Sequence, residues 1–99
     1  MKRRLIRYKT KPESTAENQR LIERVFADLS SHSPNGIRYL VLKLADGTFV
    51  HFVETAEDAV QLTGLEAFRS FQSGIKERTL APPDATDATI VGNYRMLSE

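Results

Sequence analysis

Two histidines, no cysteine and no tryptophan set the range of chemistry open to this 99-residue chain. His51 stands inside Phe49-Val50-His51-Phe52-Val53. An imidazole there titrates near neutrality and could act as a general base toward a bound phenol; a hydrogen-bonded interior or interface histidine satisfies the same pattern. Asn18 falls in the first turn of a helical stretch, where it either serves the helix end or faces a cavity mouth. Tyr8, Tyr39 and Tyr94 can pack their rings while their hydroxyls seek partners. His51, Asn18, Tyr39 and Tyr94 therefore form the candidate ligand-binding set, and no motif specifies a catalytic residue. Arg95 could meet an anionic group or close a rim salt bridge. His32 lies at a helix end, where a cation complements the helix dipole. Without paired carboxylate spacing the histidines suggest no metal site. No P-loop, dinucleotide fingerprint or nucleophile elbow is present, so no cofactor is implied.

Composition narrows the classes further. Hydrophobic residues make up 40% and charged residues 27%, the balance of a folded globular domain rather than a disordered one. A net charge of +1 gives no field that argues for nucleic acid or membrane. Lys2, Arg3, Arg4, Arg7, Lys9 and Lys11 are clustered but no aromatic ladder accompanies them, as expected of a solvated strand end. No apolar run reaches the length of a signal-peptide core or a membrane span, so a cytoplasmic location is expected. The length fits one domain over residues 1–99.

The elements that must carry these side chains follow from periodicity. Arg4 to Lys11 alternates as a strand until Pro12 ends the pairing. Ser14 and Glu17 fit a capping box before a helix from about Ala16 to Ser31, whose apolar face is Leu21, Ile22, Val25, Phe26 and Leu29. After Ser33-Pro34-Asn35-Gly36, strands Ile37 to Leu44 and Thr48 to Glu54 meet across Ala45-Asp46-Gly47, a strong hairpin signal. Ala56 to Leu62 reads as a short helix or a loop. Thr63 and Glu66 suggest a second capping box, then a helix from Leu65 to Arg78 with Phe68, Phe71 and Ile75 on one face. Pro82 and Pro83 enforce an extended exit, and Ala88 to Leu97 is the last predicted strand. The β-α-β-β-α-β order is the α+β ferredoxin-like arrangement, a four-stranded antiparallel sheet with two helices on one face.

Both faces of that sheet are apolar. Ile37, Tyr39 and Val41 oppose Leu40, Leu42 and Leu44, while Phe49 and Val53 oppose Val50 and Phe52. Two helices cover only one face, so a homodimer packed through the other face is expected, with interface positions among Leu40, Leu42, Tyr39 and Val41.

Glu17-Asn18, Pro34-Asn35-Gly36, Asp46-Gly47 before Phe49-Val50-His51, Ala67-Phe68 with Phe71-Gln72 and Gly74-Ile75, and Val91-Gly92-Asn93-Tyr94-Arg95 span nearly the whole chain. In these stretches the chain resembles the dimeric α+β barrel proteins, and within them the small uncharacterised members grouped with antibiotic biosynthesis monooxygenases. The resemblance implies a dimeric barrel. Its range of activity runs from cofactor-free oxidation of an electron-rich aromatic substrate, held between helices and sheet, to no activity at all. The haem-degrading branch is disfavoured by the absence of Trp. The chain is thus expected to be a monooxygenase-like enzyme or binding protein for a small hydrophobic or aromatic ligand, or else a non-catalytic dimeric ligand-binding or structural module.

Overall fold

The computed structural model describes residues 1–56 and 62–97. Strand β1 is Lys2–Lys9, helix α1 Thr15–His32, β2 Ile37–Lys43, β3 Thr48–Thr55, α2 Glu66–Ser73, α3 Ile75–Arg78 and β4 Asp84–Asp87. The strands form one sheet in the order β2-β3-β1-β4, and the three pairings are antiparallel. This is the expected ferredoxin-like α+β arrangement, with the helices on one face. Among the described residues no helix is long and apolar enough to cross a membrane.

The β2–β3 hairpin forms where Asp46-Gly47 predicts it. Gly47 N–H donates to Leu44 O, Asp46 Oδ1 accepts from Thr48 N–H, and Gly47 takes a φ of 88°. That left-handed conformation closes a three-residue loop with the twist the strands need, and it strains any residue bearing a Cβ. Helix α1 stops at Ser33, itself left-handed, whose N–H caps Leu29 O.

Both capping boxes are absent. Ser14 closes a 3-10 turn over Pro12–Ser14 and already has helical dihedrals, so its side chain caps nothing. Thr63 likewise sits in a 3-10 turn over Leu62–Gly64, and the helix is entered at Leu65 instead. The second predicted helix is broken at Gly74, whose φ of −113° and ψ of 14° leave the helical region, into α2 and α3, and the Arg78 guanidinium passes the glycine so that a Cβ would stand 2.8 Å from Nη1. The expected strand over Ala88 to Leu97 is also displaced: β4 is Asp84–Asp87, paired with Arg4 to Arg7. Antiparallel to β1, the chain runs out of partner there. Ala88 N–H bonds Arg3 O, one residue from Lys2, where β1 begins. Of the short helix or loop expected over Ala56 to Leu62, residues 57–61 lie outside the described residues.

The core lies between sheet and helices. Tyr8, Ile22, Val25, Phe49 and Phe71 are its buried members, with Ile6, Phe26, Leu29, Tyr39, Val41 and Phe68 packed around them. Burying each large side chain contributes about 1.5–3 kcal/mol, which fixes the strand register that brings polar groups together beneath the helices.

Candidate functional site

Register decides which polar side chains meet. Ile6 faces His51 and Tyr8 faces Phe49 across β1–β3, while Val41 faces His51 across β2–β3. With the pleat, Tyr8, Tyr39 and His51 share the helix-covered side of three adjacent strands. The His51 ring lies between the two tyrosines. Its Nδ1 is 2.6 Å from the Tyr39 hydroxyl and its Nε2 is 2.8 Å from the Tyr8 hydroxyl.

From α1, the fully buried Asn18 donates through Nδ2 to the Tyr8 hydroxyl at 3.0 Å. Arg78, buried at the end of α3, donates through Nε to Asn18 Oδ1 at 2.9 Å and through Nη2 to Phe71 O. Its guanidinium lies 5.2 Å from the Phe71 ring centroid and makes no ion pair among the described residues. One continuous chain, Arg78–Asn18–Tyr8–His51–Tyr39, therefore crosses from the α3 end of the core to β2.

Burial governs how these groups titrate. Desolvation lowers the His51 pKa to about 4, so the ring is neutral at pH 7. Burial raises Tyr8 to about 12, partly opposed by the Asn18 hydrogen bond and the Arg78 charge. Tyr39 is raised further, by desolvation first and by proximity to Tyr8 second. Burial lowers Arg78, while Tyr8, Glu17 and Glu77 act to hold its charge.

A cavity of about 480 Å³ opens between α1 and β2. Its apolar walls are Ile22, Phe26, Val41 and Phe49; Tyr39 lines it, and Gln19, Glu23 and Lys43 supply polar groups. Lys43 Nζ donates to Gln19 Oε1 at 2.6 Å, which ties the strand to the helix beside the opening. Such a volume, apolar with a few polar groups, suits a small organic molecule. Neither His51 nor Asn18 lines this cavity, so the polar chain meets it at Tyr39.

Three of the four sequence candidates, His51, Asn18 and Tyr39, are thus brought together. Tyr94 is not: it is 79% exposed, beyond β4, with the Arg95 guanidinium 5.0 Å over its ring. Tyr8 and Arg78 were missed as site residues. Arg78 carried a signal, since it continues the apolar stripe of Phe68, Phe71 and Ile75 at a position where a charge needs a buried partner. Tyr8 is distinguished from other strand tyrosines only by its register.

The other sheet face also holds a group that no motif marks. Glu54 is buried between β1 and β2, with Arg3 Nε 2.5 Å from Oε2 and Arg38 Nη1 3.5 Å from Oε1. Leu40 and Leu42 stand exposed on the same face, whereas Tyr39 and Val41 point toward the helices. Of the four interface positions expected from the sequence, the open face therefore contains Leu40 and Leu42 alone.

The fold recurs in solved structures. The chain superposes on a Bacteroides thetaiotaomicron protein provisionally named an antibiotic biosynthesis monooxygenase, with a TM-score of 0.75 and 13% identity over 98% of this chain and 95% of the other. Rv0793 of Mycobacterium tuberculosis matches with a TM-score of 0.71 and 15% identity over 92% and 95%. A structure titled antibiotic biosynthesis monooxygenase matches with a TM-score of 0.67 and 15% identity over 93% and 100%. The chain shares their fold. No protein-family model matches the sequence, and no curated relative does either. At these identities the likeness is one of architecture, consistent with the resemblance read from the sequence.

Proposed function

We propose that this chain is a monooxygenase-like small-molecule protein that takes an aromatic ligand into the α1–β2 cavity and works as a homodimer through its open sheet face. The observation that carries the reading is the cavity itself: about 480 Å³, walled by Ile22, Phe26, Val41 and Phe49 and reached by a single buried polar chain at Tyr39. Flat apolar molecules match such walls, and Tyr39 brings the end of the polar chain to the lining. Cofactor-independent oxidation of an electron-rich phenol to a quinone is the reaction this arrangement favours, with molecular oxygen as oxidant: one oxygen atom enters the ring, the other leaves as water, and the substrate supplies the electrons. The fold shared with proteins named antibiotic biosynthesis monooxygenases supports the same class.

A second reading, a dimeric module that binds without turnover, is favoured by the state of His51. Both ring nitrogens are engaged by tyrosines and burial holds its pKa near 4, so it is a weak and occupied base. Oxygen uptake measured with simple naphthols separates the two. Turnover that disappears in Phe26→Trp, which fills the cavity, supports the enzyme; saturable naphthol binding without oxygen uptake supports the binding module. Absence of both binding and uptake overturns the cavity assignment.

The dimer rests on Leu40 and Leu42, 41% and 50% exposed on a sheet face that also presents Val50 and Phe52. Sedimentation should give twice the chain mass at micromolar concentration. A stable monomer there overturns this part of the proposal.

A further inference from the structure

We infer that the buried chain from Arg78 to Tyr39 is polarised in one direction, so that Tyr39 meets a ligand as a hydrogen-bond donor, with Asn18 as the positioning residue that sets the direction. The direction follows from counting protons. A guanidinium only donates, so the Asn18 atom that faces Arg78 Nε must be the amide oxygen, as observed. The amide nitrogen then faces Tyr8 and donates to its oxygen. Tyr8 must place its own proton elsewhere, and its one other hydrogen-bond partner among the described residues is His51 Nε2. If Nε2 accepts, the neutral imidazole carries its hydrogen on Nδ1 and donates to the Tyr39 oxygen.

The Tyr39 proton is then left over, on the residue that lines the cavity. The opposite tautomer would leave the unused proton on Tyr8, which is buried in the core and has no further acceptor among the described residues. Arg78 reinforces the choice, because a buried cation at the far end orients every dipole in the chain with its positive end toward Tyr39.

For the ligand, the inference rests on the small-molecule reading; for the direction of the chain it does not. The fitting ligand is an apolar ring system that presents an acceptor oxygen, such as a ketone, quinone or phenolate, to Tyr39. In this direction His51 has no free lone pair toward Tyr39. The site therefore stabilises negative charge on a ligand oxygen by donating to it, and His51 does not remove the ligand's proton.

Long-range proton–nitrogen correlation spectra of the ¹⁵N-labelled protein at pH 7 test the direction without a ligand. His51 should be the Nδ1–H tautomer. Asn18→Asp should invert it, because a carboxylate accepts from both Arg78 and Tyr8, which turns the Tyr8 proton away from His51 and makes Nε2 the donor. An Nε2–H tautomer in the native protein, or an unchanged Nδ1–H tautomer in Asn18→Asp, overturns the polarity. For the donor role, 1-tetralone and tetralin are compared by titration, since they differ in one acceptor oxygen. The ratio of their affinities should shift against tetralone by about tenfold in Tyr39→Phe. An unchanged ratio overturns the role of Tyr39. If neither compound binds, the small-molecule reading fails while the tautomer still decides the polarity.

Discussion

Strand β3 serves two unlike surfaces from one run of residues. Toward the helices it presents Phe49, His51 and Val53, and the polar group among them has both of its nitrogens matched by tyrosines. Away from the helices it presents Val50, Phe52 and Glu54 beside Leu40 and Leu42, and the leucines remain exposed. The covered face hides polar groups by pairing them in series, whereas the open face pairs its one buried carboxylate with two arginines and leaves its apolar groups uncovered. The difference teaches that alternation along a strand assigns a side chain to a surface, while the layer above that surface decides whether a polar group there needs a partner within the chain.

The comparison breaks most severely at Asn18. Asn18→Leu should destabilise the fold by about 3–5 kcal/mol, because it leaves the Arg78 charge and the Tyr8 hydroxyl buried without their partner; urea unfolding reads this directly.

Acid should act next, through His51 on the covered face. The folded pKa of His51, about 4, lies below the unfolded value of 6.5. Between those values the unfolded state binds a proton that the folded state refuses. The contribution is therefore complete above about pH 6.5 and lost as pH falls to about 4, a change of about 3 kcal/mol. His51→Gln should flatten this part of the stability profile. A native slope that survives the substitution would place its origin elsewhere.

On the open face, Leu42→Lys should weaken self-association by at least about tenfold, or about 1.4 kcal/mol, while leaving the helix-covered core folded. Sedimentation together with circular dichroism distinguishes dissociation from unfolding. The smallest effect is expected at Glu54→Gln, about 1 kcal/mol of stability by thermal denaturation: the amide keeps the shape and one acceptor but loses the attraction of Arg3 and Arg38.

Much of this was legible in the residues. Asp46-Gly47 between two β-rich runs located the hairpin, and the alternation in Ile37 to Leu42 separated the two sheet faces correctly. His51, Asn18 and Tyr39 were singled out by type and by unusual surroundings. Tyr94 was singled out too, on the expectation of a strand over Ala88 to Leu97, and it lies apart because that strand is displaced to Asp84–Asp87. Local β character in Ile90 and Val91 counts for little once the neighbouring strand has ended.

By itself the sequence determined the elements and their faces, because strand alternation, helical spacing and a turn glycine are local properties that steric and hydrophobic rules read within a few residues. Only the tertiary structure decided which polar groups touch. Tyr8 and His51 are 43 positions apart and Asn18 and Arg78 are 60 apart, so their contacts depend on strand register and on the break at Gly74. Hydrogen bonds form over about 3 Å, whereas a one-residue slip in register carries a side chain to the opposite face of the sheet. Partnership at that scale is therefore set by how the whole core packs.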